Sequence, residues 1–416
     1  MANLFSVDEA LTRILAGVTP LAHEMILLEN VLGRILAQDI IAPVHVPPFA
    51  NSSMDGYAVI ASDIAGAGRE NPVSLPVSMD IPAGKPLQAA LRPGTVARIM
   101  TGAVVPDGAD AVVPVEDTDT QWDTTSPEIP SEVAFFVSIQ PGANIRPIGE
   151  DIQKGMNLLQ AGMVLRPQEI GVLASLGLAE IPVVRRPKVA ILSSGDELVA
   201  PGEPLQPGQI RDSNSYAIAA LVETYGGVPV RIPTARDTIE DVRRRFHEAL
   251  SHQPDVILSS AGVSVGAFDV VRTVMNELGE VNFWRVNIRP GKPLAFGHVA
   301  GIPFLGLPGN PVSAMVTFDG FVRPLLQKLG GRPDDTDTAA AILGESVRTD
   351  GRRTYFRVKL LQEDGRLVAY TTGTQSSGAL SSMVLADGLL IVPENTTYSP
   401  AGSELQVRLL RRMSNW

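Results

Sequence analysis

The sequence predicts a multidomain α/β protein. Its parts are a doubly wound sheet domain, an inserted β domain, an elongated helical or mixed segment and a C-terminal β-barrel. Three observations predict this. Between residues 186 and 329, short apolar runs alternate with helix-length amphipathic patterns, the texture of a doubly wound parallel sheet. Residues 44–145 and 330–416 instead break into short β-type runs between Gly and Pro, as small β domains do. Helical texture precedes the first of these β stretches and resumes after it, so that domain reads as an insertion. The expected units are therefore 1–43 with 146–185, then 44–145, 186–329 and 330–416.

Along the chain, Ser6-Val-Asp-Glu9 forms a capping box ahead of Leu11, Ile14 and Leu15 at helical spacing. A second helical pattern runs through Leu27, Leu28, Val31 and Leu32 and breaks near Gly33. Both stripes read as packing faces. From Pro43 to Ala58 the chain is turn-dense, with Asp55-Gly56 at its tip. Strands follow at Val73–Val77, Val96–Met100, Ala111–Val115 and Val133–Ile139. Asp55-Gly56 and Thr101-Gly102 are by themselves ordinary turn dipeptides. A helix from about Pro167 to Ser175 comes next, and Arg185-Arg-Pro187 marks a boundary.

Beyond it, strands Lys188–Ser193, Val228–Ile232 and Asp255–Ser259 alternate with helices Asn214–Tyr225, Thr238–Leu250 and Asp269–Leu278. Val281–Val286, Leu294–Phe296 and Ile302–Leu305 extend the sheet, and Pro308-Gly-Asn-Pro311 leads into a last helix. After a linker at 330–337, strands Tyr355–Leu361, Leu367–Thr371, Gly388–Val392 and Glu404–Leu410 form the barrel.

Ligands of such sheets bind outside the carboxyl ends of the strands. Those ends carry Ser193–Leu198, Arg236-Asp237 and the small-residue loop from Ser259 to Asp269. Strand, small-residue loop and helix start together present N–H groups to an anion. An acidic residue there, Asp269, suits a hard cation such as Mg2+. A plain connection is an equally ordinary reading of such a loop. Arg285, Arg289 and Lys292 fall within eight residues beside this edge, either as a solvated hairpin or as an oxyanion grip. Gly262-Val-Ser-Val-Gly266 also matches the nucleophile elbow of serine hydrolases. Their triads continue with an acid and then His, and only His298 lies downstream of Ser264. The helix pattern, moreover, starts at Asp269 rather than directly after the serine.

Composition removes several classes. The 416 residues are 44% hydrophobic and 19% charged, with no run approaching the ~18 apolar residues of a membrane span. The first residues lack a basic stretch followed by an apolar core, so a cytoplasmic location is expected. There is no cysteine, which excludes disulfides, thiolate metal sites and cysteine nucleophiles. Five scattered histidines offer no metal-ligand spacing, so any metal must be held by carboxylate and phosphate oxygens. A formal charge of −11 argues against nucleic-acid binding.

Seven segments taken together resemble the molybdopterin molybdenumtransferase family (MoeA, and the E domain of gephyrin). They are Asn51–Ala58, Arg98–Ala103, Gly149–Ile152, Ser193–Leu198, Ser259–Asp269, Arg289-Pro-Gly-Lys-Pro293 and Leu307–Ser313, in order along nearly the whole chain. The resemblance implies a MogA/MoaB-like sheet domain and an elongated homodimer with its active site between the chains. It also implies that molybdate is inserted into adenylyl-molybdopterin with Mg2+, giving molybdenum cofactor and AMP. By motif, the catalytic positions are Asp55, Thr101, Asp151, Glu197, Asp237, Asp269, Arg285 and Arg289. The resemblance makes Glu197 and Asp269 the expected metal ligands. Substrate contacts fall on Ser194, Gly195, Ser259, Gly262, Ser264, Gly266, Lys292, Pro308, Asn310, Arg357 and Ser377. Two departures stand out. Ala261 replaces the first glycine of the family's Ser-Gly-Gly-Val-Ser, and Arg285 and Arg289 stand where lysine is common.

The pyrophosphate of such a substrate suits the glycine-rich loop, and molybdate, a tetrahedral dianion, suits the cations. The dithiolene sulfurs that bind molybdenum belong to the pterin, so the absence of cysteine is no obstacle. The molybdopterin adenylyltransferase is the candidate protein partner. Alternative functions are a gephyrin-type binding scaffold, a molybdopterin adenylyltransferase and an enzyme of nicotinamide nucleotides, and tungstate is an alternative to molybdate.

Overall fold

The computed structural model describes residues 4–86, 89–120, 128–260, 268–333 and 337–411. Its central sheet has seven strands, in the order Leu4–Phe5, Gly279–Val286, Pro293–Val299, Ile302–Leu307, Val256–Ser260, Lys188–Ser193 and Val228–Arg231. The last four are mutually parallel, and 279–307 adds an antiparallel meander. Both faces are covered, which explains why these strands read as continuous apolar runs. Val189 and Ile191 face one core, with Ile218 and Val222 of helix Asn214–Thr224 and the helices after Pro311. Ala190 and Leu192 face the other, under helices Ile239–Ser251 and Phe268–Leu278. No helix among the described residues is long and apolar enough to cross a membrane.

The first described residues belong physically to this sheet. Leu4–Phe5 pairs in parallel with Arg285–Val286, and helix Val7–Leu15 buries Val7, Ala10 and Ile14 in the same core. Ser6 caps that helix by accepting the Glu9 N–H at 3.1 Å.

The two runs flanking the insertion pair with each other: His23–Leu27 with Glu180–Val184, and Ile40–Ile41 with Asn157–Leu159. The helix expected through Leu27–Leu32 is therefore corrected to the end of a strand followed by a single 3-10 turn, Leu28–Asn30. Its apolar spacing imitates a helix, but the cross-strand partner at 180–184 holds 23–27 extended. Helix Pro167–Ser175 closes this segment, with Glu169 bonding back to Arg166.

The insertion is a five-stranded sheet in the order Ala111–Pro114, Gly56–Val59, Val96–Ile99, Gly68–Ile81 and Glu132–Val137. At the C-terminus, strands Thr338–Leu343, Arg353–Glu363, Arg366–Thr371, Gly388–Val392 and Glu404–Leu409 close into a barrel through the pairing of 354–358 with 388–392. Ile288–Arg289 adds to its strand 353–354 and ties the sheet domain to the barrel.

Candidate active site

The carboxyl ends of the parallel strands open onto a cleft of about 990 Å³ whose opposite wall is the barrel. Ser194, Gly195, Glu197, Asp237 and Ser260 line the sheet side. Gly195 sits at φ 147°, and the Glu197 carboxylate folds back over its Cα. A Cβ at Gly195 would fall 2.8 Å from Glu197 Oε1, so only glycine lets the acid take this position. The Asp237 N–H donates to Asp196 Oδ1 at 3.4 Å. Burial raises the Asp237 carboxyl above its ordinary value, and the neighbouring Asp196 and Glu197 charges add to that.

Helix 214–224 starts at the same edge. The buried Asp212 accepts the Ser215 N–H at 3.0 Å, and Asn214 Nδ2 donates to the Gly309 carbonyl at 2.7 Å. Asn310 Nδ2 in turn donates to Ser377 Oγ at 3.1 Å, and the Val312 N–H donates to the Ser377 carbonyl at 3.1 Å. The barrel loop carrying Ser377 is thus tied to the Pro308–Pro311 turn.

The remaining cleft wall is basic. Arg357 is 1% exposed, its Nε donating to Ser382 Oγ at 3.2 Å and its Nη2 to the Ser376 carbonyl at 3.1 Å. Among the described residues no ion pair to a carboxylate reaches it, and burial lowers its pKa. A buried guanidinium beside a cleft without a counter-charge is a site for an anion. Arg289 and Lys292 flank Gly291, whose φ is 116°. A Cβ on Gly291 would lie 2.5 Å from Thr317 Oγ1, so the cation loop packs directly on helix Pro311–Thr317. Arg289 Nη1 lies 3.8 Å from Asp350, which also binds Arg352 at 2.6 Å.

Ten of the residues singled out in the sequence therefore meet here: Ser194, Gly195, Glu197, Asp237, Arg289, Lys292, Pro308, Asn310, Arg357 and Ser377. Others do not line the cleft. Arg285 is exposed on its strand, opposite Pro293. Ser259 is buried with no hydroxyl partner among the described residues, and strand alternation gives the cleft its neighbour Ser260. Asp55 and Thr101 meet each other, Asp55 Oδ1 accepting the Thr101 N–H at 2.7 Å. Asp151 is exposed, its N–H bonded to the Val46 carbonyl at 3.1 Å. Ala261, Gly262, Ser264 and Gly266 lie outside the described residues. Asp269 is the second residue of helix 268–278, and its side chain is likewise outside them. Arg211, Asp212, Asn214, Arg352 and Gln375 line the cleft without having been singled out. Asp212-Ser-Asn214 ahead of an apolar periodic run is a cap signal that could have found the first group.

Among the described residues no three acidic or histidine side chains converge as a ready metal cage. Glu197 and Asp237, which both line the cleft, are oxygen donors of the kind Mg2+ takes, since it binds few carboxylates and completes its shell with water and substrate phosphates.

Fold and cleft together define a multidomain α/β protein with a polar, charge-lined cleft at its strand ends. Comparison with known families agrees. Residues 5–177 match the MoeA N-terminal region (domain I and II), 190–328 a probable molybdopterin binding domain, and 340–410 the MoeA C-terminal region (domain IV). Molybdopterin molybdenumtransferase 2 of Mycobacterium tuberculosis is 42% identical over 91% of this chain and 93% of its own. The Haemophilus influenzae molybdopterin molybdenumtransferase is 37% identical over 97% and 98%. The crystal structure of a molybdopterin biosynthesis MoeA protein from Pyrococcus horikosii superposes with a TM-score of 0.82, at 34% identity, over 100% of both chains. The chain belongs to the molybdopterin molybdenumtransferase family and is an enzyme of molybdenum cofactor biosynthesis.

Proposed function

We propose that the cleft inserts molybdate into adenylyl-molybdopterin, with Mg2+-dependent cleavage of the adenylyl group that releases AMP and molybdenum cofactor. The observation that carries this reading is one cleft lined both by carboxylates at the strand ends and by arginine and lysine side chains. The substrate needs both. Its pyrophosphate suits strand ends and a helix start, and molybdate suits cations that are not already neutralised.

Glu197, with Asp269, would hold Mg2+, and Asp237 stands beside Glu197 as a further oxygen donor. When bound, the ion neutralises charge that develops as the phosphoanhydride breaks. The chain's own residues do the rest. Arg357, Arg289 and Lys292 gather the oxyanion near the pterin. The barrel loop at Ser377, fixed to the Pro308–Pro311 turn, sets the distance between the two walls. Asp55, Thr101 and Asp151 lie off the cleft of their own chain, which favours a homodimer in which a second copy completes the site.

The test is AMP release from adenylyl-molybdopterin with Mg2+ and molybdate, then with tungstate. Molybdate-dependent release supports the reading. AMP release that ignores both oxyanions would sink it.

A further inference from the structure

We propose that Asp350 is a built-in competitor for the oxyanion: it occupies Arg289 and Arg352 in the open cleft and sets the charge an incoming anion must carry to take them. This rests on the cleft reading above and adds two residues to it, Arg352 as a binding cation and Asp350 as a specificity-determining residue.

The turn that carries Asp350 is firmly held. The Thr349 N–H donates to the Thr397 carbonyl at 2.9 Å, the Gly351 N–H to Thr349 Oγ1 at 3.0 Å, and the Asn395 N–H to the Gly351 carbonyl at 2.7 Å. Arg352 Nη1 also donates to the Ile288 carbonyl at 3.1 Å, one residue before Arg289. Asp350 is therefore fixed where it is.

The two cations relate to it unequally. Arg352 makes close contacts, Nη2 to Oδ2 at 2.6 Å and Nε to Oδ1 at 3.1 Å. Arg289 Nη1 stands 3.8 Å away, beyond hydrogen-bond reach but close enough for charge attraction. The Arg289 donors thus remain available to another acceptor. Both Arg289 and Asp350 are nearly half exposed, at 47% and 44% for their side chains, so an anion in the cleft can reach them. Exposed ion pairs contribute little to stability, so packing does not call for this carboxylate. What it does is cancel one positive charge at the cleft rim. A dianion regains more than it displaces, whereas a monoanion does not.

Asp350→Asn should therefore bind the oxyanion more tightly. One unit charge acting on a dianion through screened, water-like surroundings corresponds to roughly a three- to tenfold change. Half-saturating molybdate should fall by that factor at low ionic strength and return towards the wild-type value in ~0.5 M NaCl. Inhibition by nitrate should become stronger, Asp350→Glu should match wild type, and Arg352→Gln should weaken molybdate binding. Equilibrium dialysis of molybdate alone reads the same ordering without turnover. If wild type releases no AMP in response to molybdate while Asp350→Asn still binds molybdate more tightly in dialysis, the proposed reaction fails and this assignment stands. If folded Asp350→Asn binds molybdate no more tightly than wild type, the assignment is overturned.

Discussion

Replacing Arg357 with methionine removes the buried guanidinium and keeps most of its length. Three hydrogen bonds go with it, to Ser382 Oγ, the Ser376 carbonyl and, at 3.5 Å, the Thr374 carbonyl. Hydrogen bonds to a charged group contribute about 1.5–3 kcal/mol each. Against that loss, the substitution relieves the burial of a cation with no acid nearby, a penalty of several kcal/mol. These terms nearly cancel, so apo stability should change by no more than ~2 kcal/mol, within a few degrees of Tm. Oxyanion binding has no such compensation. Losing a desolvated cation from a charge-paired contact costs about 2–5 kcal/mol, so half-saturating molybdate should rise by at least ~30-fold. The assay pairs molybdate titrations of AMP release with thermal melts in the presence of tungstate. Wild type should gain about 2.7 kcal/mol at a hundred times its Kd, and Arg357→Met should gain no more than about 0.9 kcal/mol at the same concentration. The reasoning fails if the variant unfolds outright while wild type melts at the same temperature with and without the oxyanion, for Arg357 would then be a structural residue.

Three further outcomes are expected. Asp237 has a folded pKa above its ordinary 3.8, so its ionisation costs stability that is present below that value and lost as pH rises through the raised one; Asp237→Asn should melt slightly higher than wild type at pH 7 and equally at pH 3, by calorimetry. Asp269→Asn should retain adenylyl-pterin binding but lose at least about two orders of magnitude of Mg2+-dependent AMP release, whereas Arg289→Ala should raise the molybdate requirement and leave the Mg2+ dependence in place; exchanged phenotypes in the two titrations would refute these roles. Mixing Asp55→Ala with Asp269→Ala chains should restore about a quarter of the activity, since random pairing leaves one intact site in each mixed dimer, and mixed, folded dimers with no activity would count against a shared site.

The sheet was legible because both of its faces are buried, which turns each strand into a short apolar run bounded by turn residues. Where an element owes its shape to a distant partner, sequence pattern misleads. Leu27, Leu28, Val31 and Leu32 have helical spacing, yet Glu180–Val184 makes 23–27 a strand. Leu4–Phe5 is two residues long and exists only because Arg285–Val286 accepts it. Thr338–Leu343 carries three alanines, weak strand formers, and is held in the barrel by its antiparallel partner Glu404–Arg408. The same division runs through the site. Glu197, Asp237, Arg289 and Lys292 could be read from the strand-end rule and local charge, whereas Arg357 and Ser377 came only through family resemblance. Asp350 and Arg352 escaped notice because Asp-Gly-Arg reads as an ordinary turn until the strand pairing of Ile288–Arg289 with 353–354 brings it to the cleft.

That pairing also explains why the cation wall is split between two domains. The proposed reaction must bring a pyrophosphate and a molybdate dianion together, and these repel each other. A wall built on one rigid element would fix the cations for one anion and leave the other exposed to water. Here Arg289 and Lys292 come from the sheet domain, while Arg352 and Arg357 come from the barrel. The walls are joined by, among other contacts, the 288–289 strand pairing and the Asn310–Ser377 hydrogen bond. Among the described residues five cations and three carboxylates line the cleft, and Asp350 at its rim offsets one of the cations. In the proposed reaction, the acidic edge at Glu197 and Asp237 would give a divalent cation its own place, apart from the arginines that would repel it. Separate places for anion and metal would let both charges be neutralised without the protein neutralising itself.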